Sequence, residues 1–235
     1  MIELKPHPYS DGETPLSGWL VLPEATPRAS VLVFPTIANL TPRVAEKAAL
    51  LARMGYIAFV ADYYGDALSG GDVQGLAASL RKDSAVYRQR LGAALDVLRA
   101  LPQSRQLSCA AIGFCMGGQA VLEMARAGHD LAAVVSFHGL LETACPARPG
   151  DRIIPRILVC HGDKDPLVPR THVQALMREM DGANAPWHLH IYSTALHGFT
   201  DPANDDRPLD AVAYDASADR QSWAAMISLF DEIFD

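Results

Sequence analysis

Apolar residues in this chain fall into short unbroken runs separated by longer stretches in which they recur every three or four positions. Residues 30–34, 56–61, 107–112, 132–137 and 156–161 are runs of the first kind. They are too short for buried helices and read as strands covered on both faces. Residues 187–192 (WHLHIY) alternate at period two, as a strand does. Residues 2–5 and 18–22 predict an antiparallel pair at the start. Helical spacing predicts helices over 42–54, 81–101, 117–126 and 217–234. The first carries Val44, Ala48, Leu51 and Met54 on one face and is ended by Gly55, and Pro102 closes the second. The Gly- and Asp-rich stretch 68–75 predicts a mobile loop, and the proline and charge density of 201–210 an exposed one. Strands alternating with helices in this order imply βαβ units and an α/β fold with a mostly parallel sheet. With 235 residues, 49% of them hydrophobic, the chain can bury a sizeable core, and a single domain over 1–235 is expected.

Candidate chemistry concentrates where the strand 107–112 turns into the helix 117–126. There the chain reads Gly113-Phe114-Cys115-Met116-Gly117-Gly118, a cysteine in the G-x-C-x-G pattern, the thiol counterpart of the G-x-S-x-G nucleophile elbow. Small flanking residues let strand and helix approach without Cβ clashes, and the turn puts the sulfur at the carboxyl edge of a sheet. The backbone N–H of Met116, at the helix start, is available to a developing oxyanion. A lone cysteine in an apolar run is also an ordinary core residue, so the partners decide.

In sheets of this type the acid and then the histidine follow the nucleophile, each in a loop after a later strand. Strand 156–161 breaks at Gly162-Asp163-Lys164-Asp165-Pro166. Asp165, with Pro166 fixing the turn behind it, is the preferred acid; Asp163 is the alternative, and either reads equally as a turn carboxylate or a helix cap. Past strand 187–192 comes Ser193-Thr194-Ala195-Leu196-His197-Gly198-Phe199, where His197 stands in position to reach both Cys115 and an aspartate. Of the eight histidines the others fit less well. His188 and His190 share a face of a half-buried strand with no third ligand near, so no metal site is expected. His161 ends a strand. His138, after strand 132–137, reads as a pocket residue or as a hydrogen-bonded edge residue. Tyr63, Tyr64, His138 and Phe199 all stand just beyond strand ends and are the candidate pocket walls for substrate, or else packing residues.

The elbow, the HGDKDPLVP segment and the His197-Gly198-Phe199 loop occur together and in order. With residues 31–35, 55–65, 136–139 and 214–223 they make the chain resemble the dienelactone hydrolase family over nearly its whole length. The resemblance implies an α/β-hydrolase fold, a mostly parallel twisted sheet flanked by helices on both faces, with no large cap domain. It implies a Cys-His-Asp triad, here Cys115, His197 and Asp165, acting on lactones or small activated esters. It places the second oxyanion donor at the backbone N–H of Ile37. Where many relatives carry a glutamate that contacts the resting cysteine, this chain has Thr36, a candidate substrate-side residue that cannot hold a negative charge beside the thiol. A thiolate paired with protonated His197 is the expected resting state. Arg81 is the candidate for holding a substrate carboxylate, or else a solvated helix-start charge.

The net charge of −7 and the absence of a Lys/Arg cluster argue against nucleic acid as a partner. No run approaches membrane-span length, and the start Met1-Ile2-Glu3-Leu4-Lys5-Pro6 lacks the charged and apolar regions of a signal peptide, so a cytoplasmic protein is expected. Four cysteines, two in strands (Cys109 and Cys160), one in a loop (Cys145) and one at the elbow, make no disulfide framework. The expected chemistry needs no metal or organic cofactor, only a small ester or lactone, in a monomer or homodimer. The same nucleophile could attack phosphotriesters or thioesters. A different class of function, redox sensing or ligand capture by a low-pKa Cys115, also fits the elbow.

Overall fold

Residues buried on both sides set the architecture, because β-branched and aromatic runs pair into sheets while three-to-four spacing winds helices around them. The computed structural model describes residues 3–207 and 209–235. The chain forms two compact units, Met1–Ala111 and Ile112–Asp235.

In the first unit, β1 (Leu4–Asp11) and β2 (Thr14–Val21) form an antiparallel hairpin from Leu4↔Val21 to Asp11↔Thr14. Gly12, at φ 56°, turns it. The expected pair is therefore present but longer than predicted, because its polar, half-exposed residues hide it from an apolar-run criterion; the predicted strand's Ile2 lies outside the described residues. Next, β3 (Ala29–Phe34), α1 (Pro42–Arg53) and β4 (Tyr56–Val60) make the expected βαβ unit. β3 runs parallel to β4, which pairs antiparallel with β2. Every residue of β3 and β4 is buried. Thr41 caps α1 by accepting from Val44 N–H, with Pro42 in the first turn where its missing N–H costs nothing.

Two predicted segments differ. Residues 68–75 are not a continuous loop: a 3-10 turn (Gly65–Gly70) leads into α2 (Val73–Lys82), whose cap Asp72 accepts from Gly75 N–H. Residues 81–101 are not one helix either. Asp83 ends α2 in extended backbone and caps α3 (Ser84–Ala100) by accepting from Ala85 and Val86 N–H. The apolar spacing continues through Leu80, Tyr87 and Leu91, which is why periodicity alone merges the two.

The polar centre of this unit is Asp62, just past β4. Its carboxylate accepts from Ser17 N–H at 2.9 Å, Asn39 Nδ2 at 2.8 Å, Tyr64 N–H at 2.9 Å and Gly65 N–H at 3.0 Å. Asn39, in the left-handed region at φ 63°, accepts in turn from Tyr63 N–H at 3.1 Å. One buried carboxylate thus holds the loops that follow β3 and β4.

The second unit begins inside β5 (Cys109–Phe114), followed by α4 (Met116–Arg126) and β6 (Ala133–Phe137). β7 (Arg156–Gly162), α5 (Arg170–Gly182), β8 (Trp187–Tyr192) and α6 (Ala216–Phe234) complete it. β6 is parallel to β7 and β7 to β8. Every residue of α4 is buried, including Glu123 and Arg126. The Arg126 guanidinium pairs with Glu123 and, through two nitrogens, with Glu179 of α5, and donates to Leu141 O. α5 was not expected from the sequence; its apolar face is only Val173, Leu176 and Met180. The expected exposed loop 201–210 contains a 3-10 turn (Pro202–Asp206) with Asn204 buried, and Pro208 lies outside the described residues. Among the described residues no helix is long and apolar enough to cross a membrane.

Replacing Asp62 with Ala leaves four donors without their acceptor. Unfolding free energy should fall by about 2–4 kcal/mol, measured by urea denaturation, since each buried unsatisfied group costs ~1–3 kcal/mol. A loss under about 1 kcal/mol would mean that water replaces the carboxylate freely.

Candidate active site

Cys115, His138, Asp165 and His197 follow the carboxyl ends of β5, β6, β7 and β8, where open parallel sheets place their ligands. Cys115 lies between β5 and α4 with φ 56° and ψ −114°, a backbone conformation that non-glycine residues avoid. Its carbonyl starts α4 by accepting from Gly118 N–H at 2.9 Å and Gln119 N–H at 3.3 Å. A Cβ on Gly113 would collide with the Gly117 carbonyl, and one on Gly118 would meet Gly139 and Ser136. Gly113 and Gly118 are therefore dictated by close packing of the turn.

The histidine loop is braced by the segment that follows it. His197 N–H donates to Ala211 O and its carbonyl accepts from Ala213 N–H, both at 3.2 Å, forming a bridge with Val212. Gly198 takes φ 70°, and its carbonyl accepts from Asn204 Nδ2 at 2.7 Å. These contacts aim the imidazole inward. Nδ1 of His197 lies 2.7 Å from Asp165 Oδ2, and both side chains are buried. The other Asp165 oxygen accepts from Leu167 N–H at 2.8 Å. Because a carboxylate only accepts, the proton lies on Nδ1 and Nε2 is turned toward the thiol. Nε2 is buried, and its interaction is with Cys115.

The electrostatics of the pair follow from this placement. Burial alone would raise the Cys115 thiol, but the His197 charge, its hydrogen bonding and the Met116 backbone N–H outweigh it and hold the thiol below its ordinary value. Burial would likewise lower His197, yet Cys115 and Asp165 together push it up to about 10. Both shifts favour the thiolate–imidazolium form of the pair over thiol and neutral imidazole. Cys160 shows the contrast: burial without such a partner pushes its thiol up to about 12.

Asp163, the alternative acid, faces away from the pair and is ion-paired with Arg170 of α5, which holds its carboxyl below the usual range. His161 is buried with neither ring nitrogen hydrogen-bonded among the described residues, and burial keeps it below the ordinary imidazole value against the pull of Asp165 and Asp163. His188 and His190 are exposed rather than half-buried, because β8 turns that face to solvent. Phe199 is fully buried, its ring edge-on to His138 and Tyr192. His138 is buried too, with Nδ1 accepting from Cys115 N–H at 3.1 Å and Nε2 2.8 Å from Thr200 Oγ1. Thr200 has no local signal in the sequence; only its place three residues past His197 hints at it.

Thr36, Ile37, Tyr63 and Tyr64 belong to the first unit. The Thr36 hydroxyl accepts from Ala38 N–H at 3.2 Å, and the Thr36 carbonyl from Asn39 N–H at 3.0 Å, so this residue builds the turn that contains Ile37. Tyr63 is buried, donates to Pro35 O at 3.2 Å and stacks on Phe34; Tyr64 is buried beside it. Arg81 donates from Nε to Ala77 O within α2. Among the described residues no cluster of His, Cys, Asp or Glu could hold a metal ion.

The sequence model of the dienelactone hydrolase family matches residues 16–234. An uncharacterized protein from Caenorhabditis elegans is 36% identical over 149 residues, 63% of this chain and 94% of its own length. Among solved structures, m3DLH superposes with a TM-score of 0.92 at 38% identity, covering 100% of this chain and 99% of the other. A dienelactone hydrolase-like promiscuous phosphotriesterase from metagenomic libraries gives 0.91 at 38% identity, with the same coverage.

With exposed Cys145 changed to Ser, the thiolate at Cys115 should be carboxamidomethylated by iodoacetamide at pH 7 at least about tenfold faster than in the same protein carrying His197→Ala. Equal rates in the two proteins, read by mass spectrometry, would contradict the ion pair.

Proposed function

The chain belongs to the dienelactone hydrolase family, and on that premise we propose that it hydrolyses lactones or small activated carboxylic esters through a Cys115-His197-Asp165 triad and an acyl-thioester. The observation that carries this reading is the 2.7 Å link from Asp165 to His197 Nδ1, which leaves Nε2 to serve the elbow thiol.

The cycle follows from who holds the proton. The Cys115 thiolate attacks the ester carbonyl while its former proton rests on His197 Nε2. The carbonyl oxygen becomes an oxyanion at the start of α4, where Met116 N–H, already turned toward the sulfur, can donate to it. As the tetrahedral intermediate collapses, the C–O bond to the leaving alcohol breaks and His197 delivers its proton to that oxygen. Neutral His197 then takes a proton from water, hydroxide adds to the thioester, and the C–S bond breaks to release the acid. Thiolate and imidazolium are thereby restored. Asp165 keeps the imidazole in one tautomer throughout and does not itself change protonation. His197 carries every proton, so the cycle calls on no cofactor.

A second substrate class has its own support. The promiscuous phosphotriesterase at 38% identity supports slow attack of Cys115 on phosphotriesters with good leaving groups, where the same N–H would receive the developing phosphoryl charge.

Mixing with p-nitrophenyl acetate in a stopped-flow instrument should release a burst of about one equivalent of nitrophenolate, because a thiolate acylates faster than its thioester deacylates. Cys115→Ser should abolish the burst. Asp165→Asn should lower kcat/KM by about 10³–10⁴-fold through the wrong imidazole tautomer, whereas Asp163→Asn should stay within about threefold of wild type, as for an exposed ion pair. Turnover unchanged in Cys115→Ser would overturn the reading.

A further inference from the structure

We propose that His138 is a positioning residue that locks the nucleophile turn to the histidine loop, through a hydrogen bond at each ring nitrogen. The inference rests on the triad reading above but concerns a residue outside it.

The ring has no freedom of role. Cys115 N–H can only donate, so Nδ1 must be the unprotonated nitrogen and Nε2 must carry the hydrogen, donated to Thr200 Oγ1. A single neutral tautomer therefore links Cys115, the residue at the strained turn, to Thr200, three residues past His197. The ring faces are covered as well. His197 lies edge-on with centroids 5.4 Å apart, Phe199 edge-on at 5.1 Å, and Phe114 tilted at 6.1 Å. The His138 backbone is committed too: its N–H donates to Cys160 O at 2.8 Å, and its φ is 39°, the second non-glycine residue of the site held in the left-handed region. A strained residue persists only where its surroundings over-determine it, and here these six contacts do so.

This placement excludes the two simpler roles. A substrate contact needs an exposed ring atom, but the side chain is buried and both nitrogens are engaged. A second general base needs a lone pair, and the lone pair at Nδ1 is taken by the Cys115 amide. What remains is geometry. The Cys115 peptide sets the direction of its Cα–Cβ bond and hence where the sulfur points. Thr200 is joined to His197 through only Gly198 and Phe199. One rigid ring spanning both fixes the distance over which thiolate and imidazolium stabilise each other. An error of about 1 Å in such a distance costs on the order of 100-fold in rate.

The test uses variants that separate the two bonds, in a Cys145→Ser background with folding checked by circular dichroism. His138→Asn retains an acceptor near Nδ1, His138→Leu retains neither group, and Thr200→Val removes the acceptor for Nε2–H. Two quantities are read: the pH titration of thiolate absorbance at 240 nm, and kcat/KM for p-nitrophenyl acetate. In His138→Leu the thiolate midpoint should move upward by about one unit or more, with kcat/KM down about 10- to 100-fold. His138→Asn should recover to within about fivefold of wild type, and Thr200→Val should move the midpoint in the same direction as Leu but less. A wild-type midpoint in His138→Leu, or an Asn variant no better than Leu, would overturn the proposal. The titration reads the thiol without any turnover, so failure of the hydrolase reading, turnover surviving Cys115→Ser, is distinguishable from failure of this one.

Discussion

A backbone held at φ 56° and ψ −114° by a side-chain-bearing residue is the constraint on which the site is built. Such a conformation costs about 1–3 kcal/mol and survives only where the surroundings leave no alternative. At Cys115 they are specific. The amide is shared between Phe137 O and His138 Nδ1, the carbonyl is shared by two amides of α4, and glycines at 113, 118 and 139 let the backbones close in. The strain lifts the thiol out of the packed strand so that Cys115 is half-buried while every other residue of the GFCMGG stretch from Gly113 to Gly118 is buried. A cysteine in relaxed strand geometry would resemble Cys109 or Cys160, both buried in strands.

Electrostatics completes what the turn begins. Moving a thiolate and an imidazolium out of water is unfavourable, and such a pair persists only where each has the other and further partners besides. Asp165 holds the far nitrogen of His197, and Met116 N–H faces the sulfur. Asp165 in turn is secured by Leu167 N–H in the turn closed by Pro166. The loops that carry these groups are fixed by ordinary backbone bonding, as the His197 bridge to Val212 shows. The site is thus a set of short loops tied to one another.

Much of this was legible along the chain, and the divide is physical. Buried parallel strands write themselves as apolar runs and half-exposed β8 as alternation, so β3 to β8 lie within a residue or two of their predicted bounds. The elbow is legible because close approach demands glycine at particular positions. Helix boundaries set by side-chain caps are harder to see: Asp83 divides α2 from α3 while the apolar spacing runs on unbroken. α5 went unseen because only three of its side chains are buried apolar residues. The preference for Asp165 over Asp163 has only Pro166 as a local signal, because the pairings that distinguish them, Arg170 with Asp163 and His197 with Asp165, are made by residues elsewhere in the fold. His138 and Thr200 are 62 residues apart, so their link has no signature in either neighbourhood. Thr36 reads as a substrate-side residue through the family resemblance alone, and the turn its hydroxyl helps to form by accepting from Ala38 N–H has no comparable signal.

The central claim is that Cys115 becomes covalently acylated, and trapping that species tests it most directly. Acid-quenching the protein milliseconds after mixing with a small activated ester and weighing it intact should reveal one added acyl group, which peptide mapping assigns to Cys115. An unmodified mass during active turnover, or an acyl group carried by any other residue, would contradict the account.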